Sequence, residues 1–152
     1  MKFEYFSSAN TYEEINHFIK SCVELWELGF ITPAIEIING AIIGSGCYIN
    51  NELISFHFMD KGEFSVICEW NKFNNTSIDD METENNGNDY WGGISLFTVG
   101  SYRRKKYAQK LILSTLKHFS IDIENYGVSN SLEQDGLNFF RNTFPKYRRI
   151  LN

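Results

Sequence analysis

The chain has 152 residues, of which 43% are hydrophobic and 16% aromatic, so it can fill the core of one domain and is not a disordered chain. Its formal net charge of -5 argues against attraction of the whole surface to nucleic acid or to an anionic membrane. Only a local basic patch could attract an anionic partner, and residues 103–106 form such a patch.

The chain begins with a predicted strand and a capped helix. Residues 2–6 are predicted to form the strand, and Thr11 followed by Glu14 is the capping-box pattern of a helix start. Gly29 is predicted to end the helix, and Pro33 prevents its immediate resumption. Apolar residues recur between these limits at helical spacing and define one face: Ile15, Phe18, Ile19, Cys22, Val23 and Trp26.

Antiparallel strands joined by tight turns are predicted next. Residues 34–38 are predicted to be extended, with Asn39-Gly40 as a hairpin turn into a strand over residues 41–49. A further strand covers residues 52–59, a turn is predicted at residues 60–62, and another strand at residues 64–70. The alternation within residues 52–59 puts Ile54, Phe56 and Phe58 on one face and Leu53, Ser55 and His57 on the other.

The second half is predicted to alternate between strands and helices. Residues 71–89 are rich in Asn and acidic side chains and are predicted to form a long surface loop. Strands are then predicted at residues 94–99, 121–128 and 146–151, and helices at residues 107–119 and 132–144. Strand–helix–strand units favour parallel pairing. The fold class is therefore predicted to be α+β, a single domain over residues 1–152 with a central, mixed, mostly antiparallel sheet flanked by helices.

Cysteine usage and hydropathy indicate the compartment. Cys22, Cys47 and Cys68 are widely spaced and lie in apolar segments, so they are expected to be buried free thiols rather than metal ligands. Such thiols are typical of a reducing compartment. No segment has the length of a membrane-spanning helix or the apolar core of a signal peptide. We therefore expect a cytoplasmic protein without a metal site.

The basic patch lies directly before the helix predicted at residues 107–119. It contains Arg103, Arg104, Lys105 and Lys106. The backbone N–H groups at a helix start have no intrahelical acceptors, and the helix dipole adds partial positive charge there. Such a position suits a phosphate or pyrophosphate. A solvated turn that binds nothing is an equally weighted alternative, because short charge runs are usually surface features.

The segment FTVGSYRRKKYAQKLI resembles the donor-binding motif of the GCN5-related N-acetyltransferases (GNAT). Arg103-x-x-Lys106-x-Ala108 is similar to the family pattern Arg/Gln-x-x-Gly-x-Gly/Ala, which follows a strand and opens a long helix. The resemblance implies a GNAT fold and acetyl-coenzyme A as co-substrate. The residues that it implies for donor binding are Phe97, Val99, Gly100, Arg103, Arg104, Lys105, Lys106, Tyr107 and Ala108.

Two positions depart from the family pattern. Lys106 stands where the first glycine is usual, and Phe140 stands where a tyrosine usually protonates the leaving thiolate. Tyr147, Tyr126 and Tyr107 are the candidate replacements for that acid. Glu69 and His57 lie on predicted central strands, and either could accept the amine proton, directly or through water. A backbone N–H group near residues 97–99 is expected to polarise the thioester carbonyl.

Two functional hypotheses follow. The first is an acyl-CoA-dependent N-acyltransferase whose acceptor is a primary amine of a small molecule or of a protein lysine. The second is a catalytically silent binding protein with the same fold, for example a viral structural protein or one that captures a host factor. Neither nucleic acid nor a membrane is an expected partner, and assembly as a homodimer stays open.

Overall fold

The computed structural model describes residues 1–27, 33–62 and 90–128. The predicted strands at residues 64–70 and 146–151, the acidic loop and the helix at residues 132–144 lie outside them. The elements are β1 (Lys2–Phe6), α1 (Tyr12–Leu25), α2 (Ala34–Ile38), β2 (Ile42–Ile49), β3 (Glu52–Gly62), β4 (Tyr90–Thr98), α3 (Tyr107–His118) and β5 (Tyr126–Val128). Single 3-10 turns occupy Gly100–Tyr102 and Ile123–Asn125.

The five strands form one sheet in the order β1-β2-β3-β4-β5. The first four strands pair antiparallel, and β5 pairs parallel to β4, so the predicted mixed α+β fold is confirmed. No helix within the described residues is long and apolar enough to cross a membrane.

Helix α1 covers one face of the sheet. Its predicted capping box is confirmed, because the Thr11 hydroxyl accepts from the Glu14 N–H and the Glu14 carboxylate accepts from the Thr11 N–H. Phe18 is buried and stacks on Phe6 with ring centroids 4.0 Å apart. A Cβ at Gly44 would lie 3.1 Å from the Phe18 ring, so glycine on β2 lets the helix approach the sheet closely.

Residues 34–38 were predicted to be extended, and this prediction is wrong, because they form helix α2. Pro33 precedes the helix with φ -65°, a conformation that suits a helix start. Gly40 follows it with φ +86°, so Asn39-Gly40 ends a helix instead of joining two strands. Ile37 is fully buried whereas Ile35 is exposed, a one-sided pattern that five residues are too few to reveal.

Strand β3 differs from its prediction at both ends. Asp60, Lys61 and Gly62 continue the strand opposite β4, so the turn predicted at residues 60–62 is wrong. Near its start the register with β2 shifts between Cys47 and Tyr48. This irregularity exchanges the predicted faces of two residues. Leu53 packs with Phe56, Phe58 and Phe18 of α1, and Ile54 packs with Leu111 of α3.

Candidate functional site

Strand β4 has an open edge beyond its short pairing with β5. The two strands pair only from Trp91 to Gly93. The register of β4 with β3 then shifts, because Gly93 lies opposite Met59 and Ser95 opposite Phe58. Among the described residues no strand lies beside residues 94–98 on the β5 side. We call residues 94–98 the open edge of β4.

The hydrogen bonds of β4 fix which backbone groups face the open edge. The Val99 N–H donates to the Ile54 carbonyl at 2.9 Å and therefore faces β3. The Phe97 carbonyl also faces β3, because it accepts from the Ser55 hydroxyl at 2.9 Å. A trans peptide points its C=O and N–H in opposite directions, and no cis peptide is present among the described residues. Of the expected residues 97–99, only Thr98 therefore presents its N–H to the open edge.

The same reasoning adds Leu96. The Ser95 carbonyl accepts from His57 on β3 at 2.7 Å, so the N–H of the same peptide unit, which belongs to Leu96, points away from β3. Two backbone N–H groups, those of Leu96 and Thr98, thus line the open edge. The resemblance pointed to residues 97–99. The strand geometry retains only Thr98 of these and adds Leu96.

The basic turn, residues 99–106, follows the open edge directly. Arg104 and Lys106 both adopt the left-handed backbone conformation, with φ 62° and 67°. Lys106 is the N-cap of α3 and forms no side-chain cap, so the first N–H groups of α3, at Tyr107 and Ala108, have neither an intrahelical acceptor nor a side-chain cap. Glycine adopts this conformation without steric cost. Lys106 therefore holds a backbone conformation that favours glycine and adds a positive charge at the same position.

The conformation of Lys106 predicts an unusual stability effect. The left-handed conformation destabilises the folded state by roughly 1–2 kcal/mol when the residue is not glycine. Substitution by glycine removes this cost but stabilises the unfolded state by about 0.4–1 kcal/mol, because glycine gives the unfolded chain more conformational entropy. Lys106→Gly is therefore expected to raise the free energy of unfolding by about 0.5 kcal/mol in urea titrations. Lys117→Gly, in the last turn of α3, is the control and is expected to lower it by about 1 kcal/mol. Equal losses in both variants would contradict the prediction.

Arg103 is fixed by contacts with the end of β4, whereas Lys105 contacts the turn through the Tyr102 ring, whose centre lies 5.9 Å from its Nζ. The Nε of Arg103 donates to the Thr98 carbonyl at 2.9 Å, and its guanidinium lies 5.5 Å from the centre of the Phe97 ring. Phe97 in turn stacks on Trp26 at the end of α1, with centroids 5.5 Å apart. All four basic residues are exposed, and the described residues provide no ion pair to the basic turn. All four charges are therefore available to a ligand, and that of Arg103 is fixed in position by its hydrogen bond.

His57 is buried within a chain of hydrogen bonds. Its Nδ1 lies 2.7 Å from the Ser95 carbonyl and its Nε2 lies 3.0 Å from the Tyr126 hydroxyl. Because a carbonyl can only accept, Nδ1 carries the proton, and Nε2 accepts from Tyr126. Burial lowers the pKa of His57 to about 4 and raises that of Tyr126. The imidazole is therefore neutral at pH 7, and its one lone pair is already engaged.

Burial of His57 makes stability depend on pH. Between about pH 6.5 and pH 4 the unfolded chain binds a proton that the folded protein does not, so stability falls as the pH falls through this window. The contribution of His57 is expected to decrease by about 2 kcal/mol from pH 7 to pH 5. His57→Asn should remove this part of the pH dependence in urea titrations, and His17→Asn, at an exposed position on α1, should not. If the free energy of unfolding had the same pH dependence in both variants, His57 would not be the source of this effect.

The predicted catalytic set is only partly visible. Glu69, Tyr147 and Phe140 lie outside the described residues, so the roles predicted for Glu69 and Tyr147 stay predictions. His57 lies on β3 as expected, yet nothing in the sequence indicated its contact with Tyr126, 69 residues away. Gly93 was also missed. A Cβ there would lie 2.7 Å from the Tyr126 hydroxyl and 3.0 Å from the His57 ring, so only glycine fits beside the pair.

No protein-family model matches the sequence, and no curated protein matches it. Solved structures do. An aminoglycoside acetyltransferase, meta-AAC0020, from an uncultured soil metagenomic sample and in complex with sisomicin aligns with a TM-score of 0.59 at 13% identity, over 95% of this chain and 88% of that chain. The aminoglycoside acetyltransferase AAC(6')-Iy with a coenzyme A bisubstrate analogue gives a TM-score of 0.57 at 11% identity, over 95% and 90%.

A ribosomal-protein-alanine N-acetyltransferase from Brucella melitensis aligns with a TM-score of 0.55 at 11% identity, over 93% of this chain and 90% of that chain. Two of these proteins are named as aminoglycoside acetyltransferases and one as a ribosomal-protein-alanine N-acetyltransferase, and this chain aligns with all three over most of its length. The chain therefore has the GNAT fold, and the resemblance drawn from the basic turn is confirmed at the level of fold.

Proposed function

We propose that this chain is an acyl-CoA-dependent N-acyltransferase that transfers an acetyl group to a primary amine of a small molecule or of a protein lysine. The observation that carries the proposal is the juxtaposition, in a GNAT fold, of a basic turn at an uncapped helix start and an open strand edge. The similar solved structures include acetyltransferases named for aminoglycosides and for a ribosomal-protein alanine, which supports an amine acceptor.

The residues present fit acetyl-coenzyme A. Its pyrophosphate would lie at the basic turn, against the N–H groups that open α3 and the exposed Arg104, Lys105 and Lys106. Its extended arm, which carries amides, would run along the open edge and pair with the N–H groups of Leu96 and Thr98. Arg103 would act by holding the turn against the end of β4. The uncapped helix start and the open edge of β4 are the two features that suit an anion with a peptide-like tail.

The bound donor would supply an activated acyl group as a thioester. In the transfer the amine nitrogen forms a bond to the carbonyl carbon, the carbon–sulfur bond breaks, and the amine proton leaves to a base or to water. Leu96 is farther from the basic turn than Thr98, so its N–H is placed to stabilise the developing oxyanion. His57 has no free lone pair with which to accept the proton. Glu69 therefore remains the proposed base, and Tyr147 the proposed acid toward the thiolate.

Turnover tests the proposal. The purified chain would be incubated with acetyl-coenzyme A and a panel of primary amines, including aminoglycosides, polyamines and lysine peptides, while released thiol and acetylated product are followed. We expect amine-dependent thiol release with one class of acceptor. Matched controls without amine measure thioester hydrolysis. Thiol release that no amine accelerates, at saturating donor, would contradict the proposed reaction.

A further inference from the structure

Two relays of hydrogen bonds connect β3 to the open edge of β4. In the first, Tyr126 donates to His57, and His57 donates to the Ser95 carbonyl. In the second, the Ser55 hydroxyl donates to the Phe97 carbonyl at 2.9 Å, and it accepts from the Thr98 hydroxyl, which lies 2.9 Å away. In each relay a hydroxyl donates to a side chain on β3, which donates to a carbonyl of β4.

Both relays end on the peptide units that present N–H groups to the open edge. The Ser95 carbonyl shares its peptide unit with the Leu96 N–H, and the Phe97 carbonyl shares its unit with the Thr98 N–H. A hydrogen bond to the carbonyl of a peptide draws electron density toward the oxygen, so the N–H at the other end becomes a stronger donor. The carbonyls of these two units accept from side chains that the fold buries completely or almost completely, Ser55 at 0% and His57 at 1% exposure.

We propose that His57, with Tyr126 behind it, and Ser55 are positioning residues that polarise the Leu96 and Thr98 N–H groups toward the acyl donor. This inference rests on the proposed function. His57 acts here as a neutral donor on the far side of β4 and does not contact the substrate. Its role is therefore distinct from that of a general base. The relay through Leu96 acts on the thioester carbonyl, and the relay through Thr98 acts on the arm of the donor.

The burial of these groups supports a role beyond filling the core. An apolar side chain at position 55 or 57 could fill the same space without needing a hydrogen-bond partner. His57, in contrast, must be kept neutral and in one tautomer by two hydrogen bonds. Gly93 is the residue whose missing side chain admits the Tyr126 hydroxyl to the ring. Ser45 supplies the contrast, because it is equally buried on the neighbouring strand but bonds to Thr115 on α3 and not to β4.

The test compares four substitutions with a matched control. Tyr126→Phe and Ser55→Ala each break one relay. His57→Ala removes the donor to Ser95, whereas His57→Asn keeps a donor near the position of Nδ1. The control, Ser45→Ala, removes a buried hydroxyl without touching β4. Each variant would be assayed for kcat and KM with acetyl-coenzyme A. The carbonyl stretch of bound donor, labelled with ¹³C at the thioester, would be recorded by infrared difference spectroscopy. Loss of polarisation raises that frequency, and a merely structural defect does not.

We expect Tyr126→Phe to lower kcat about 3- to 10-fold with little change in KM and to raise the carbonyl frequency. Ser55→Ala should weaken donor binding about 2- to 10-fold, His57→Asn should retain more activity than His57→Ala, and Ser45→Ala should leave the frequency at the wild-type value. Suppose that the wild type binds the donor and transfers acetyl, while Tyr126→Phe and Ser55→Ala have the same kcat, KM and carbonyl frequency as Ser45→Ala. The relays then have no such role, and the proposed function stands. If the wild type binds no donor, both proposals fail. Should Tyr126→Phe not fold, Ser55→Ala and His57→Asn decide the question.

Discussion

Replacing Gly93 by alanine is expected to lower the free energy of unfolding by about 2–6 kcal/mol. The new Cβ would lie 2.7 Å from the Tyr126 hydroxyl and 3.0 Å from the His57 ring, and both neighbours are fully or almost fully buried. Overpacking of a core costs about 1–3 kcal/mol. Separating Tyr126 from His57 adds about 1–3 kcal/mol for a buried nitrogen without a donor. Urea unfolding followed by circular dichroism measures the loss.

Two further variants make this result specific. At Gly100 an added Cβ meets nothing within 4 Å, so Gly100→Ala should change stability by less than about 0.5 kcal/mol. Tyr126→Phe removes the oxygen that the new methyl group meets, so Gly93→Ala combined with Tyr126→Phe should be less destabilised than the sum of the single changes. Equal losses for Gly93→Ala and Gly100→Ala would contradict the packing that we describe.

Charge reversal in the basic turn is expected to have the largest effect on ligand binding. Lys106→Glu places a carboxylate at the uncapped start of α3. There it can accept hydrogen bonds from the N–H groups that the pyrophosphate would use. Loss of one charge-assisted hydrogen bond costs about 1.5–3 kcal/mol, so the Kd for acetyl-coenzyme A should rise about 10- to 150-fold. Isothermal titration calorimetry measures this change.

Lys117→Glu, at the other end of α3, is the matched control, because Lys117 carries the same charge and is also exposed. It should leave the Kd within about twofold at physiological salt, because the Debye length is then only about 8 Å. Arg104→Glu should resemble Lys106→Glu. An unchanged Kd in both turn variants would mean that the donor binds elsewhere on the molecule.

Local signals in the sequence predicted the elements that carry their own start and stop residues. The capping-box pair Thr11 and Glu14 predicts the start of α1, and apolar residues that recur at helical spacing predict α3. The run at residues 34–38 is ambiguous because five residues, four of them apolar, are compatible with both a strand and a short helix. The helix is favoured because Pro33 lies at its start and Gly40 follows its end, and it buries Ile37.

The location of the proposed site follows from the sequence, but its geometry does not. Four basic residues before a helix indicated where an anion would bind. The direction of the β4 backbone groups could not be read from residue types, because it depends on the register shift that leaves Gly93 opposite Met59. The contact between His57 and Tyr126 joins residues 69 positions apart and forms only when β5 aligns beside β4. Long-range pairing of this kind leaves no periodic signal in a single sequence.

The central claim is that the basic turn and the open edge of β4 bind an acyl-CoA donor. Titration of the purified protein with acetyl-coenzyme A, by calorimetry and by thermal unfolding in parallel, tests it most directly. We predict saturable binding with a stoichiometry of one and stabilisation that follows RT ln(1 + [L]/Kd), about 2.7 kcal/mol at a hundredfold excess over Kd. Absence of both heat and thermal stabilisation at millimolar acetyl-coenzyme A would contradict the claim.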